Sequence, residues 1–298
     1  MFNQISIFVG KIKHYRRMNK LFLSISVILL PYILLSAQTE TYFVTHIKGK
    51  IINKTTNKSL KLGDKLKATD KILYNPNNAA AILMSNQKGR FVLGKPADAK
   101  PTPTGDFLAF VKSTVVPVKS NGYLSSRGTV DDLITDLKGT IGNENFVFPG
   151  NLGKLVLSDK IYPMNANKFF IFRYMYESKA VNKKISFIKD TLAIDKKSLF
   201  VVNGQPVNPE QIENAGVIDL YYYDQATKAS MKVTSFKPVF TDEEILKEEF
   251  KNLIKIYKTQ KMTDEVILEN LTEHLQTVYN GKSDKHMVAQ WMKEKIKL

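Results

Sequence analysis

Past residue 37 the chain holds three histidines, His46, His274 and His286. Histidine is the side chain that most readily moves protons or binds zinc near neutral pH. Their spacing argues against both uses: there is no H-E-x-x-H pair, and His274 and His286 fall on different predicted helices beside charged neighbours, as solvated histidines do. Ser85 and Lys88 match the S-x-x-K serine motif by spacing alone, but that motif belongs at a helix start and here it precedes Gly89 in a predicted hairpin turn. Ser125, Ser126 and Arg127 form the most suggestive polar cluster. A serine nucleophile there would need a base and a G-x-S-x-G frame, so a cap or turn is the expected role. The chain has neither a phosphate-cradling glycine loop nor a D-x-[DN]-x-[DN]-G calcium run. Glycosidase carboxylates pair in space, so the sequence alone leaves them open. No catalytic, cofactor or metal residue is assigned, and no cofactor is expected.

The elements that would position such groups are mostly strands. Tyr42 to Ile52 alternates in character, and the short apolar runs after it are separated by Gly63-Asp64, Asn75-Pro76-Asn77-Asn78 and Lys88-Gly89, which are turn chemistry. Ala81 with Leu83 and Phe91 with Leu93 each supply an apolar face at period two. Asp64 and Asp70 read as turn aspartates bonding nearby backbone amides.

This stretch, residues 42–95, resembles the FecR-type periplasmic domain. The likeness lies in Gly49 after the first strand, Leu62-Gly63-Asp64 with Leu66, Thr69 to Ile72, Ala79 to Leu83 and a closing Gly89-Arg90-Phe91-Val92-Leu93. The resemblance implies an exported β module. Signalling members of that family receive input from an outer-membrane transporter and carry a cytoplasmic anti-sigma segment, whereas here only Met1–Lys20 precede the apolar stretch.

Beyond a Pro-rich loop at Pro96–Gly105, Asp131 to Lys138 reads as a short helix capped by Thr129. A second antiparallel block follows, with hairpins turning at Glu177–Asn182 and Gln225–Ala229. Phe169, Ile171, Arg173 and Met175 share one face of its first long strand, and Phe170, Phe172, Tyr174 and Tyr176 share the other. Such a strand needs cover on both faces or leaves an aromatic strip for a partner. Phe170, Phe172, Tyr174, Tyr176, Tyr221, Tyr223 and Trp291 are therefore the candidate partner-binding residues, with a sheet core as the competing role for their rings.

From Thr241 the pattern turns helical. Ile245, Leu246, Phe250, Leu253, Ile254 and Tyr257 form one stripe, with Thr241 and Glu244 as a capping box. A second helix starts at Thr263 and ends at Asn280-Gly281, and a third runs from Ser283 through Trp291. Packing on the β block is the expected use of these stripes, with a partner-binding tail as the alternative. The fold expected is α+β and mainly β: an N-terminal extension and leader over 1–37, a first β module over 38–150, a second over 151–240 and a helical segment over 241–298.

The compartment follows from the amino terminus. Lys20, an apolar run from Leu21 to Leu35, and Ser36 and Ala37 match a secretory signal peptide, with Met18 as a plausible start and a cut after Ala37. The alternative is an uncleaved anchor, although the run is shorter than the roughly 20 residues of a spanning helix and is broken by Pro31. The net charge is +16; residues 1–37 hold five cations and no acid, which leaves +11 for the rest. Those charges are almost all dispersed lysines, which suit solubility or attraction to an acidic surface better than specific nucleic-acid recognition. With no cysteine, disulfides, thiol catalysis and a lipoprotein anchor are excluded. The function expected is an exported, periplasmic, non-enzymatic binding or scaffold protein meeting an envelope protein or an acidic cell-wall polymer. The alternatives are an envelope glycan hydrolase and a FecR-like signalling component.

Overall fold

The computed structural model describes residues 41–74, 78–85, 89–93, 105–106 and 133–297. Its first module is a set of short strands: β1 (Thr41–Lys48), β2 (Ile51–Asn53), β3 (Lys58–Ser59), β4 (Lys65–Lys67), β5 (Lys71–Tyr74), β6 (Ala80–Ser85), β7 (Gly89–Leu93) and β8 (Gly105–Asp106). They pair as two four-stranded sheets, in the orders β4-β1-β6-β7 and β3-β2-β5-β8. Tyr42, Val44, Ile51, Leu66, Ala81, Leu83, Phe91 and Leu93 are among the side chains of their shared core, so the period-two faces lie where alternation places them. The turn aspartates behave as expected. Asp64 accepts from the Lys61 amide at 2.8 Å, and Asp70 accepts from the Lys67 amide at 2.9 Å and from Asn53 Nδ2 at 3.1 Å. Gly49 has φ +72°, and a Cβ there would lie 2.2 Å from the Asn78 carbonyl oxygen, so only glycine fits the turn.

An irregularity in β1 sets the direction in which His46 points. Tyr42, Phe43 and Val44 pair with Ser85, Met84 and Leu83, but His46 pairs with Ile82, leaving Thr45 as an extra residue. This bulge shifts the parity of the strand. Tyr42, Val44 and Ile47 face the module core, while Phe43 and His46 face the helices. Strict alternation would have put His46 on the same side as Val44.

The second module comprises α1 (Leu137–Ile141), β9 (Asn145–Phe148), β10 (Leu152–Val156), β11 (Lys168–Tyr176), β12 (Lys179–Lys184), β13 (Ser186–Ile188), β14 (Thr191–Asp195), α2 (Lys196–Leu199), β15 (Val201–Val202), β16 (Gln205–Pro206), β17 (Ile218–Asp224) and β18 (Ala229–Phe240). Its principal sheet runs β12-β11-β17-β18-β9, beside a three-stranded sheet β10-β14-β13. The pairings are antiparallel except for β9, which lies parallel to β18. Phe146 and Phe148 of β9 also enter this core. The hairpin after β11 is tighter than expected: Glu177 and Ser178, both at positive φ, form its turn, and β12 starts at Lys179. The helix near 137 also begins later than expected, capped by Asp136, whose side chain accepts from the Gly139 amide. Thr129, Asp131 and Asp132 lie outside the described residues.

Three helices close the chain: α3 (Glu243–Thr259), α4 (Asp264–Val278) and α5 (Lys285–Lys295). Their caps are Asp242, Thr263 and Asp284. The first cap is one residue later than the expected box, because Thr241 Oγ1 is already engaged by the Gly150 amide at 2.7 Å. Leu246, Phe250, Leu253, Leu271, Leu275, Val288 and Trp291 join Met84 of the first module and Val147 of the second in one cluster. The helices are thus packed against both β modules, and the fold is α+β, mainly β. Among the described residues no helix is long and apolar enough to cross a membrane.

Candidate functional site

The sheet β12-β11-β17-β18 sorts the aromatic residues of the sequence into two populations. On the core side, Phe170 and Phe172 are fully buried and Tyr174 nearly so, while Tyr176 packs half-buried against the same cluster. The hydroxyl of Tyr174 donates to the Leu199 carbonyl at 3.0 Å, and that of Tyr222 to the Pro163 carbonyl at 2.6 Å. Both ends of those rings are therefore satisfied inside the protein. Trp291 is likewise buried, edge-on to Phe250 at 5.7 Å between ring centres. Phe170, Phe172, Tyr174 and Trp291 are thus core residues with no area to offer a partner, a correction to their reading as a binding strip. The reason is cover: the three-stranded sheet and α2 close one face of β11, and α3 to α5 enclose Trp291.

Tyr221 and Tyr223 lie on the opposite face. Register sets out three rungs there: Lys184, Ile171, Tyr221 and Lys232; Asn182, Arg173, Asp219 and Ser235; and Phe169, Tyr223 and Ser230. A bulge at Val233 keeps Lys232 on this face beside Tyr221. Tyr221, Tyr223 and Ile171 are half-buried, and Arg173, Lys184 and Lys232 are exposed. Phe169 is covered by its neighbours: the Lys184 ammonium sits 3.8 Å above its ring centre and Tyr223 tilts against it at 5.4 Å. Asp219 is this face's carboxylate; it accepts from Ser235 Oγ at 2.7 Å and pairs with Lys232 at 2.8 Å. Burial pushes its pKa up, but the bonds from Lys232 and Ser235 and the nearby Arg173 charge outweigh that and hold it below the usual value. Arg173 and Lys184 form no ion pair among the described residues. The face therefore combines half-exposed rings with an excess of positive charge, Arg173 standing across from Asp219 and Lys184 over Phe169.

A second polar cluster lies where the helices meet the first module. His46 Nδ1 is 2.6 Å from Glu249 Oε1, and His274 Nε2 is 3.3 Å from Glu249 Oε2. Glu249 and His274 are almost entirely enclosed, and His46 is about one-fifth exposed at 22%. Desolvation alone would raise the Glu249 pKa, but the two imidazoles outweigh it and keep the carboxyl ionised below its usual range. An ionised carboxylate only accepts, so both rings donate. Burial pushes the His274 pKa down despite the Glu249 charge, with Arg90 and His46 adding to the effect, so His274 is neutral and its Nδ1 has no partner among the described residues. Beside it, Arg90 Nη2 donates to the Asn270 carbonyl at 2.5 Å and to Tyr257 Oη at 3.4 Å. The two imidazoles engage opposite oxygens of one carboxylate, and among the described residues no His, Cys, Asp or Glu group is arranged to hold a metal ion. No nucleophile takes part in these bonds. The cluster is a connection between β1, β7, α3 and α4.

The buried state of His274 corrects its reading as solvated; His286 is half-buried beside Gln290, 2.9 Å away. The signal for the connection was present in the stripes, since Glu249 falls between Leu246 and Leu253, and His274 between Leu271 and Leu275. Ser85 is buried in β6, while Lys88 and the cluster Ser125, Ser126 and Arg127 lie outside the described residues. No protein-family model matches the chain, and a search of curated proteins finds no significant relative.

Proposed function

We propose that the protein is exported through its leader and acts in the bacterial cell envelope as a non-enzymatic binding or scaffold protein, its first module being a FecR-like exported domain. The observation that carries this reading is how the polar side chains are used. The groups best suited to proton transfer, Glu249, His274 and His46, are bonded to one another across the helix–sheet contact, while solvent meets a sheet face of rings and excess positive charge. A surface of that kind supports adhesion. The dispersed lysines add attraction to acidic envelope polymers.

Co-sedimentation with purified peptidoglycan and with envelope fractions tests the reading. Retention without release of soluble fragments is expected. Turnover of the peptidoglycan that disappears when a single carboxylate is replaced would establish the hydrolase instead.

A further inference from the structure

We propose that the face of the five-stranded sheet that carries Tyr221 and Tyr223 binds a carboxylate-bearing polysaccharide, with sugar rings lying on those two tyrosines and acid groups meeting Arg173 and Lys184. This assignment rests on the proposed binding-protein function and gives it a ligand class.

The same face is covered by helices where it carries Val147 and Val239, while Tyr221 and Tyr223 are half-exposed and join none of the core clusters of the described residues. Tyr221 and Tyr223 are two residues apart on one strand, which sets their rings roughly 7 Å apart on one side. That is a ladder of flat apolar surfaces on a rigid element, suited to the C–H faces of consecutive sugars. Arg173 and Lys184 occupy adjacent strands as diagonal neighbours, about 7–8 Å apart. The guanidinium fork matches a carboxylate in two bonds, and the ammonium supplies a point charge. Asp219 shares the Arg173 rung and is bonded by Lys232 and Ser235, and Arg173, Lys184 and Lys232 together outnumber it, so the face keeps an excess of positive charge for an incoming acid. Charge complementarity thus selects an anion, and the half-exposed rings select a sugar over an acidic peptide.

The test is affinity electrophoresis and calorimetry of the full chain with polygalacturonate, neutral dextran and poly-glutamate as probes. Polygalacturonate is expected to bind at least about tenfold more tightly than either of the others. The double substitution Tyr221→Ala with Tyr223→Ala is expected to weaken it by about tenfold, with a still cooperative urea transition and the parent's far-UV circular dichroism showing that the fold is intact. Arg173→Gln is expected to weaken binding and flatten its salt dependence. Equal binding of poly-glutamate, no binding of polygalacturonate, or full binding by the tyrosine double variant would each overturn the assignment. Sedimentation of the same chain with envelope fractions separates the two levels: retention there without polygalacturonate binding removes only the ligand class, whereas loss of both removes the binding-protein reading.

Discussion

His46 on the first strand donates to Glu249 on the first C-terminal helix at 2.6 Å, across 203 residues of chain. Each partner is where it is for a local reason. The bulge at Thr45 turns His46 toward the helices, and Glu249 sits on an otherwise apolar stripe that must face the sheet. The bond therefore fixes how the helical segment is held against the first module.

Removing the carboxylate leaves two imidazoles, one wholly buried, without the acceptor they share. Glu249→Ala is expected to cost about 1–3 kcal/mol for each imidazole donor left without its acceptor, the buried His274 most of all. His46→Ala removes the more exposed partner and should cost less. Urea unfolding of both variants and of the double variant checks this, and independent, additive losses would contradict the coupling.

Acid should weaken the same contact. Glu249 has a lowered native pKa, so its contribution is complete above the unfolded value of about 4.3 and is lost as pH falls through the native value. His274 also has a lowered native pKa; below about 6.5 the unfolded chain takes up a proton that the native state refuses, and stability falls with pH. Both slopes therefore have the same sign, with His274 acting below about pH 6.5 and Glu249 only below about 4.3. Buried Asp284, with a raised pKa, opposes them from its native value down to its unfolded value of about 3.9. Melting temperatures should decline between pH 7.5 and 3, and Glu249→Gln should flatten the part of the decline below about pH 4.3; a profile there identical to that of the parent would contradict the account.

Position on the sheet predicts a sharp contrast between neighbouring aromatic residues. Phe172→Ala opens a cavity in the second core and should cost about 3–5 kcal/mol. Tyr221→Ala, on the solvent face, should cost well under half as much. Equal losses in denaturation midpoints would mean that the two faces are not divided as described.

Gly49→Ala should destabilise the first module by more than about 1 kcal/mol, because the residue holds a left-handed φ and its new Cβ would meet the Asn78 carbonyl. Alanine at Gly204, which also has positive φ but nothing within 4 Å, separates backbone strain from steric clash. If the two alanine variants melted together, strain alone would explain Gly49.

The architecture was legible where local chemistry decides it. Turn glycines, period-two faces and the apolar stripes of α3 to α5 follow from short-range pattern, and the mainly β fold with terminal helices came with them. What could not be read was long-range. Nothing local marks Thr45 as a bulge, so the side on which His46 emerges was hidden, and with it the bond to Glu249. The parallel pairing of Asn145–Phe148 with Lys237–Phe240 depends on residues almost a hundred positions away. Phe170 and Tyr221 are chemically alike as sequence, and only the position of the three-stranded sheet separates core ring from surface ring.

Export is the premise on which the binding reading depends, and cell fractionation with amino-terminal sequencing measures it directly. The protein is expected outside the cytoplasmic membrane with Gln38 as its first residue. A soluble cytoplasmic protein that retains Leu21 to Ala37 would contradict that premise.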